Sequence, residues 1–140
     1  TVREAVDGEP LEPGVALVAP GGMHLSVRRA GVGYAACVQP GPRVNGHCPA
    51  VDVLFDSVAK YVGAKAIGLI LTGMGSDGAN GMLAMREAGA TTAAQDEATS
   101  VVYGMPRVAA EIGAAQRILS LPRIGTWLAQ AAYELHSIDA

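Results

Sequence analysis

The order of hydrophobic and polar positions divides this 140-residue chain into two regions. In residues 1–49, short apolar runs are separated by glycine and proline, which is typical of strands joined by turns. In residues 50–140, apolar runs alternate with stretches in which apolar residues recur every three or four positions. Alternating strands and helices predict βαβ units with a parallel sheet, so we expect one α/β domain.

The first region predicts a short strand followed by an antiparallel hairpin. Residues 15–18 are apolar and are followed by the turn-forming sequence PGG at 20–22. Residues 25–28 and 34–38 lie on either side of a glycine-containing turn, which predicts that these two runs pair as a hairpin.

The second region predicts four helices and three strands. Its first helix carries an apolar stripe from Val51 to Val62, and Gly63 suits the position just after its end. Residues 66–71 are apolar throughout, as in a strand buried on both faces of a parallel sheet. The expected elements that follow are a helix containing Met82 and Met85 that ends at Gly89, a strand at 91–94, a helix at 105–112, a strand at 117–119 and a helix starting at Pro122.

Composition argues against several classes of protein. Half of the residues are hydrophobic and 16% are charged, which is typical of a folded core. The net charge of −3 and the lack of a basic cluster with aromatics argue against nucleic-acid binding. No apolar run approaches the roughly 20 residues of a membrane span, so no membrane insertion is expected. Cys37 and Cys48 are expected to be free thiols in the cytoplasm.

Residues 73–78, GMGSDG, match the G-x-G-x-x-G pattern between a predicted strand and a predicted helix. Ligands of parallel sheets bind beyond the carboxyl ends of the strands, so this loop is expected to hold the functional site. Asp96 follows Gly78 by 18 residues, near the offset of a ribose-binding acid. A dinucleotide- or phosphate-binding module is therefore one interpretation of the loop.

Asp77 permits two further interpretations of the same loop. A carboxylate inside the turn would repel a pyrophosphate, but it could accept a hydrogen bond from a catalytic histidine and fix its tautomer. Alternatively, Asp77 could cap the helix that runs from Gly78 onward, as aspartate often does. Spacing alone leaves all three interpretations open.

Four stretches together resemble the bacterial chemotaxis receptor methylesterases. They are APGGMHL at 19–25, VNGHCPAVDVLFDSVA at 44–59, LTGMGSDGA at 71–79 and AQDEATSVVYGMPR at 94–107. Their order and separations also fit the family, and the resemblance covers nearly the whole chain.

The resemblance implies a doubly wound, three-layer α/β fold with a mainly parallel sheet and a small antiparallel hairpin. It implies hydrolysis of glutamate methyl esters, and in many members glutamine deamidation, on chemotaxis receptors by a Ser-His-Asp triad. Asp77 takes the position of the triad aspartate, and Met74 that of the residue whose backbone N–H lies at the oxyanion site. Family members usually carry a receiver domain that controls access to this site, and they need neither a cofactor nor a metal.

Two strings of the family are absent from this sequence: the nucleophile turn G-x-S-T-G-G and the Q-H-M string with the triad histidine. We therefore expect residues 1–140 to be a partial catalytic domain without its first strands and inactive on its own. Such a domain would present a hydrophobic sheet edge and self-associate. Ser76 adjoins Asp77 but lacks a nucleophile elbow, so we expect it not to replace the missing serine.

Local departures from the family pattern lie near the expected cleft. Cys48 stands where arginine is usual, and Ala50 stands where a serine is usual and would cap a helix, a loss of about 1 kcal/mol. His24 and His47 are expected to form local hydrogen bonds, and His136 suits the end of the last helix. A non-catalytic domain that binds receptors is the remaining alternative to an enzyme.

Overall fold

A computed structural model describes residues 1–139 of the chain, with side chains through Ser137. Its strands and helices follow one another in the order β1 (Val2–Glu4), β2 (Ala16–Val18), β3 (His24–Ala30), β4 (Gly33–Gln39), α1 (Val51–Tyr61), β5 (Ile67–Ile70), α2 (Ala79–Glu87), β6 (Thr91–Gln95), α3 (Met105–Glu111), β7 (Arg117–Leu119) and α4 (Leu121–Asp139).

The second region forms a parallel sheet in the order β5-β6-β7. Ile70 and Ala94 are register partners on one face, where they pack in a buried cluster with Met82 of α2. Ala93 lies on the opposite face and packs with Ile124 of α4. Helices therefore cover both faces of the sheet, as the doubly wound α/β prediction requires.

Helix α1 lies against α2 at an unusually close approach. A Cβ atom added to Gly81 of α2 would lie 2.6 Å from Cβ of Phe55 and 2.9 Å from Oδ1 of Asp52. Only glycine fits at this crossing, since both neighbours belong to α1. The consequence is that the first turns of the two helices lie side by side, next to the loop that follows β5.

The antiparallel hairpin pairs β3 with β4 from His24↔Gln39 to Ala30↔Gly33. Helix α1 is tied to it by the Ser57 hydroxyl, which accepts the Val27 backbone N–H at 2.9 Å. The hairpin thus holds α1 from the side opposite α2.

The predicted elements are confirmed, with bounds that differ by one or two residues. Strand β1, which pairs in parallel with β2, was missed because its three residues are exposed and lack an alternating pattern. Both cysteines are free, as expected. None of the helices in the described part of the chain is long and apolar enough to cross a membrane.

Candidate functional site

The Asp77 carboxylate lies in the loop between β5 and α2 and is only 6% exposed. Its Oδ2 accepts the backbone N–H of Val51 at 2.7 Å, and its Oδ1 accepts that of Asp52 at 3.1 Å. Oδ1 also accepts Nδ2 of Asn45 at 3.0 Å. Asp77 therefore caps the start of α1, and the interpretation that it caps its own helix, α2, is wrong.

The carboxylate of Asp52 accepts backbone N–H groups around the start of α2, just as Asp77 accepts those at the start of α1. Its Oδ1 accepts the backbone N–H groups of Gly78 at 3.1 Å and Gly81 at 2.7 Å, which are at the start of α2. Its Oδ2 accepts Nδ2 of Asn45 at 2.6 Å. Each carboxylate thus sits at the N-terminus of the other's helix, where free N–H groups and the helix dipole stabilise negative charge.

The pKa of Asp77 lies below its ordinary value. Burial acts to raise this pKa, but hydrogen bonds from Asn45 and from the backbone N–H groups of Val51 and Asp52 lower it, and the nearby His47 adds to the lowering. The lowering contributions win because several donors stabilise the charged form together. Asp77 is consequently a fixed carboxylate that stays ionised at neutral pH.

Ala50 precedes α1 and has no side chain that could cap it, as the sequence predicted. The backbone N–H groups at the start of α1 nevertheless find acceptors in other parts of the chain. Nδ1 of His24 accepts the Ala50 N–H at 3.3 Å, and Asp77 accepts the N–H groups of Val51 and Asp52. Nε2 of His24 lies 2.7 Å from the carbonyl oxygen of Pro42. Both ring nitrogens of His24 are therefore engaged in local hydrogen bonds.

A second loop, at residues 99–104, fixes the glycine loop. The Thr72 hydroxyl donates to the Val102 carbonyl at 3.1 Å and accepts its N–H at 2.8 Å. The Gly73 carbonyl accepts the N–H groups of Gly104 at 3.1 Å and Met105 at 2.8 Å. A Cβ at Gly104 would lie 2.7 Å from the oxygen of Gly73, so the two loops are in backbone-to-backbone contact.

The side chain of Gln95 forms hydrogen bonds with both of these loops. Its side chain is 1% exposed, its Oε1 accepts the Thr72 N–H at 2.8 Å, and its Nε2 donates to the Thr99 carbonyl at 2.8 Å. Asp96, the expected ribose-binding acid, instead accepts the backbone N–H of Thr99 at 3.0 Å. Asp96 therefore shapes this second loop.

Met74 lies at the exposed tip of the glycine loop, with 80% of its surface exposed. Within residues 1–139, no acceptor takes its backbone N–H. A free N–H at the carboxyl end of a buried strand is the kind of donor that an oxyanion site uses.

A family model described as CheB methylesterase matches residues 1–128. The chain belongs to the CheB methylesterase family. It is 57% identical over 132 residues to protein-glutamate methylesterase/protein-glutamine glutaminase 4 of Anaeromyxobacter dehalogenans, covering 94% of this chain and 37% of the relative. A relative of the same name from Syntrophotalea carbinolica is 58% identical over 127 residues, covering 88% of this chain and 36% of the relative. The chain thus spans little more than a third of the length of these curated relatives.

The CheB methylesterase catalytic domain of Thermotoga maritima has the same fold. It superposes with a TM-score of 0.85 at 34% identity, covering 97% of this chain and 68% of the Thermotoga chain. The match includes the antiparallel hairpin as well as the parallel sheet, since it covers nearly all of this chain. The predicted fold class and family resemblance are confirmed.

The dinucleotide-binding alternative is not favoured for this CheB methylesterase chain. A pyrophosphate would need the N–H groups at the start of α2, and Asp52 already takes those of Gly78 and Gly81. Two buried carboxylates beside this helix start would also repel a phosphate. Gly78, the last glycine of the pattern, instead lies against α1, since an added Cβ there would lie 2.9 Å from Cγ1 of Val51.

The sequence motif pointed to Asp77 and Met74 as site residues but gave no role to the three side chains that hold this loop: Asn45, Asp52 and Gln95. Gln95 directly follows the predicted strand at 91–94, and Asp52 lies in the first turn of the predicted helix from Val51, but neither position carried a signal of burial. Asn45 precedes Gly46, and Asn-Gly is a strong turn signal. Within residues 1–139, no serine or histidine donates a hydrogen bond to Asp77.

Proposed function

We propose that the protein containing this chain hydrolyses glutamate methyl esters on chemotaxis receptors and deamidates receptor glutamines. Membership in the CheB methylesterase family and the names of the curated relatives support this activity. The structural observation that carries the proposal is the buried, hydrogen-bonded carboxylate of Asp77 at the carboxyl end of β5. This is the location where parallel α/β sheets hold their reactive groups.

In the proposed reaction, Asp77 is the acid of a Ser-His-Asp triad. Each oxygen of an ionised carboxylate can accept about two hydrogen bonds. Oδ2 of Asp77 accepts one from within the described residues, from Val51, which leaves capacity for the Nδ1–H of a histidine. The three hydrogen bonds already present fix the carboxylate, so it can hold that imidazole in one tautomer and stabilise its charged form.

The serine and histidine of the triad are proposed to come from residues outside this 140-residue sequence. The serine attacks the ester carbonyl while the histidine takes its proton, and the histidine returns that proton to the departing methanol. The backbone N–H of Met74 donates to the oxyanion, a contribution of about 3 kcal/mol for one such donor. Water then releases the glutamate in the reverse sequence of proton transfers.

The surroundings of the site suit a protein substrate. Leu71, Met74, Val101 and Val102 are exposed apolar residues on the two loops that Thr72 ties together. Apolar side chains grouped around a site are typical of protein contacts. We therefore propose that methylated receptors dock on this rim.

The cellular compartment and the regulation of the enzyme are proposed from its family and from its cysteines. The two free thiols, Cys37 and Cys48, suit the cytoplasm, and no role in nucleic-acid binding is proposed. A receiver domain elsewhere in the protein is proposed to control access to the site. Deleting such a domain would then raise the rate of methanol release.

Methanol release from methylated receptor tests the activity. The whole protein should release methanol, residues 1–140 alone should not, and Asp77→Asn in the whole protein should abolish most of it. Full activity of Asp77→Asn would refute the role of Asp77. Receptor binding without any turnover by the whole protein would instead establish a non-catalytic receptor-binding domain.

A further inference from the structure

Asn45 occupies a tight turn next to the two buried carboxylates. The backbone groups of Val44 and His47 exchange hydrogen bonds at 2.9 Å in both directions, which closes a two-residue turn. Asn45 and Gly46 both have positive φ, at 54° and 79°. These are the features of a type I′ turn, in which Asn-Gly is a favoured pair.

The amide group of Asn45 bridges the two carboxylates. Its Nδ2 lies 2.6 Å from Oδ2 of Asp52 and 3.0 Å from Oδ1 of Asp77. An amide nitrogen carries two protons, so it can donate one to each carboxylate without sharing. Asn45 is the side chain that contacts both acids among the described residues.

We infer that Asn45 is a positioning residue for catalysis: its amide sets the orientation of the Asp77 carboxylate and holds it beside the carboxylate of Asp52. The inference rests on the proposed function, in which Asp77 is the triad acid. Asp77 has two other donors, both backbone N–H groups at the start of α1, and they approach from the same element. Asn45 approaches from a different element and therefore fixes the rotation of the carboxylate about its bond to Cβ.

The charges around Asp77 explain why a donor is needed between the acids. The Asp52 carboxylate accepts a hydrogen bond from the same Asn45 amide as Asp77. The pKa of Asp56, four residues further along α1, is raised by burial and by the charge of Asp52. His47 of the turn contributes favourably to the Asp77 charge. An amide that donates one proton to each carboxylate places positive partial charge between them, which offsets their mutual repulsion.

Two substitutions test the role of the Asn45 amide while leaving the backbone of the turn unchanged. Asn45→Gly removes the amide but suits the positive φ, and Asn45→Asp also suits this backbone while replacing a donor with a third carboxylate. The control is Ala132→Gly on the exposed side of α4, which lowers stability by about 1 kcal/mol far from the site.

Carboxylate titration by NMR on the whole protein reads the charge state of Asp77, and methanol release by the same protein reads catalysis. Asn45→Gly should raise the pKa of Asp77 and lower kcat on the order of tenfold with KM unchanged, the signature of an interaction needed in the transition state. Asn45→Asp should shift the titration further and lower kcat more. Ala132→Gly should change the melting temperature without changing either readout.

An unchanged Asp77 titration in Asn45→Gly, or a shifted titration with unchanged kcat, would overturn the inference. Asn45 would then be a structural turn residue, and only the melting temperature would fall. Failure of the proposed function looks different, because Asp77→Asn would itself retain full methylesterase activity.

Discussion

The carboxylates of Asp77 and Asp52 each hold the start of a helix: Asp77 accepts the first two N–H groups of α1, and Asp52 accepts the N–H groups of Gly78 and Gly81 around the start of α2. This exchange fixes the loop after β5 to two helices at once. A residue that a triad would use for orientation is therefore also a structural residue. Experiments on it must separate activity from stability.

Asp77→Asn should lower both the stability and the activity of the protein, each for a different reason. The amide keeps one oxygen but presents an NH2 group to a backbone N–H, so unfolding free energy should fall by about 0.5–2 kcal/mol, as for a lost cap. Activity should fall by about 10⁴, the loss in kcat when a triad aspartate becomes asparagine. Thermal melting and methanol release measure the two effects.

Asp96→Asn is the control for Asp77→Asn. Asp96 accepts hydrogen bonds within the loop at 96–100, away from the proposed proton transfers. Its substitution should cost stability with at most a small loss of kcat. An equal loss of kcat in both variants would indicate that any loosened loop impairs the enzyme, and would contradict a specific role for Asp77.

The lowered pKa of Asp77 predicts a loss of stability in acid. Its folded-state pKa lies below the unfolded value of about 3.9, so ionised Asp77 stabilises the fold above that pH. This contribution disappears as the pH falls from about 4 through the folded-state pKa. Denaturant unfolding of the whole protein at pH 2 to 6 should therefore show stability rising with pH, and Asp77→Asn should flatten the slope. An unchanged slope would show that other carboxylates carry the effect.

Gly81→Ala should destabilise the chain, although alanine normally favours a helix over glycine. The added Cβ would lie 2.6 Å from Phe55 and 2.9 Å from Asp52 of α1, so the helices must separate. We expect a loss of about 1–3 kcal/mol, as for overpacked cores. Gly125→Ala in α4 is the matched control, since its Cβ meets nothing within 4 Å and should stabilise the helix by up to about 1 kcal/mol. Equal melting temperatures for the two variants would contradict the close approach.

The sequence predicted the elements that repeat a strong pattern and missed those that depend on contacts. The stripe from Val51 to Val62 is periodic and the run that became β5 is apolar throughout, so both elements were predicted correctly. Strand β1 exists only because β2 lies beside it, and three exposed residues carry no such signal. Local pattern therefore sufficed for the α/β fold but not for its short edge pairing.

In the candidate site, too, the local motif was predictable from the sequence but the contacts were not. The position of Asp77 followed from a motif, but its partners lie 25 to 32 residues away in sequence. No spacing rule indicates that a helix start at Val51 would receive its cap from Asp77 rather than from Ala50. Such pairings arise from the crossing of α1 and α2, which only the three-dimensional structure reveals.

Gln95→Met tests whether the buried amide positions the glycine loop. Methionine matches glutamine in length but leaves the Thr72 N–H and the Thr99 carbonyl without partners. Thr72 is exposed and Thr99 is half-buried, so each lost hydrogen bond should cost about 0.5–1.5 kcal/mol, and the melting temperature should fall. kcat should also fall, since Thr72 begins the loop that carries Met74. A variant with normal melting and normal kcat would show that Gln95 is dispensable.

Gly104→Ala should impair catalysis through the backbone of the glycine loop. A Cβ at this position would lie 2.7 Å from the oxygen of Gly73 and 2.9 Å from the nitrogen of Gly75, on either side of Met74. Backbone atoms cannot rotate away as side chains do, so the loop must move and the Met74 N–H with it. Removal of one oxyanion donor costs about 10²–10³ in kcat, and a loss approaching that range is expected in methanol release. Gly21→Ala is the control, because a Cβ at Gly21 meets nothing within 4 Å and should leave kcat unchanged. If Gly104→Ala melts at a lower temperature yet retains its kcat, the oxyanion donor must lie elsewhere than at Met74.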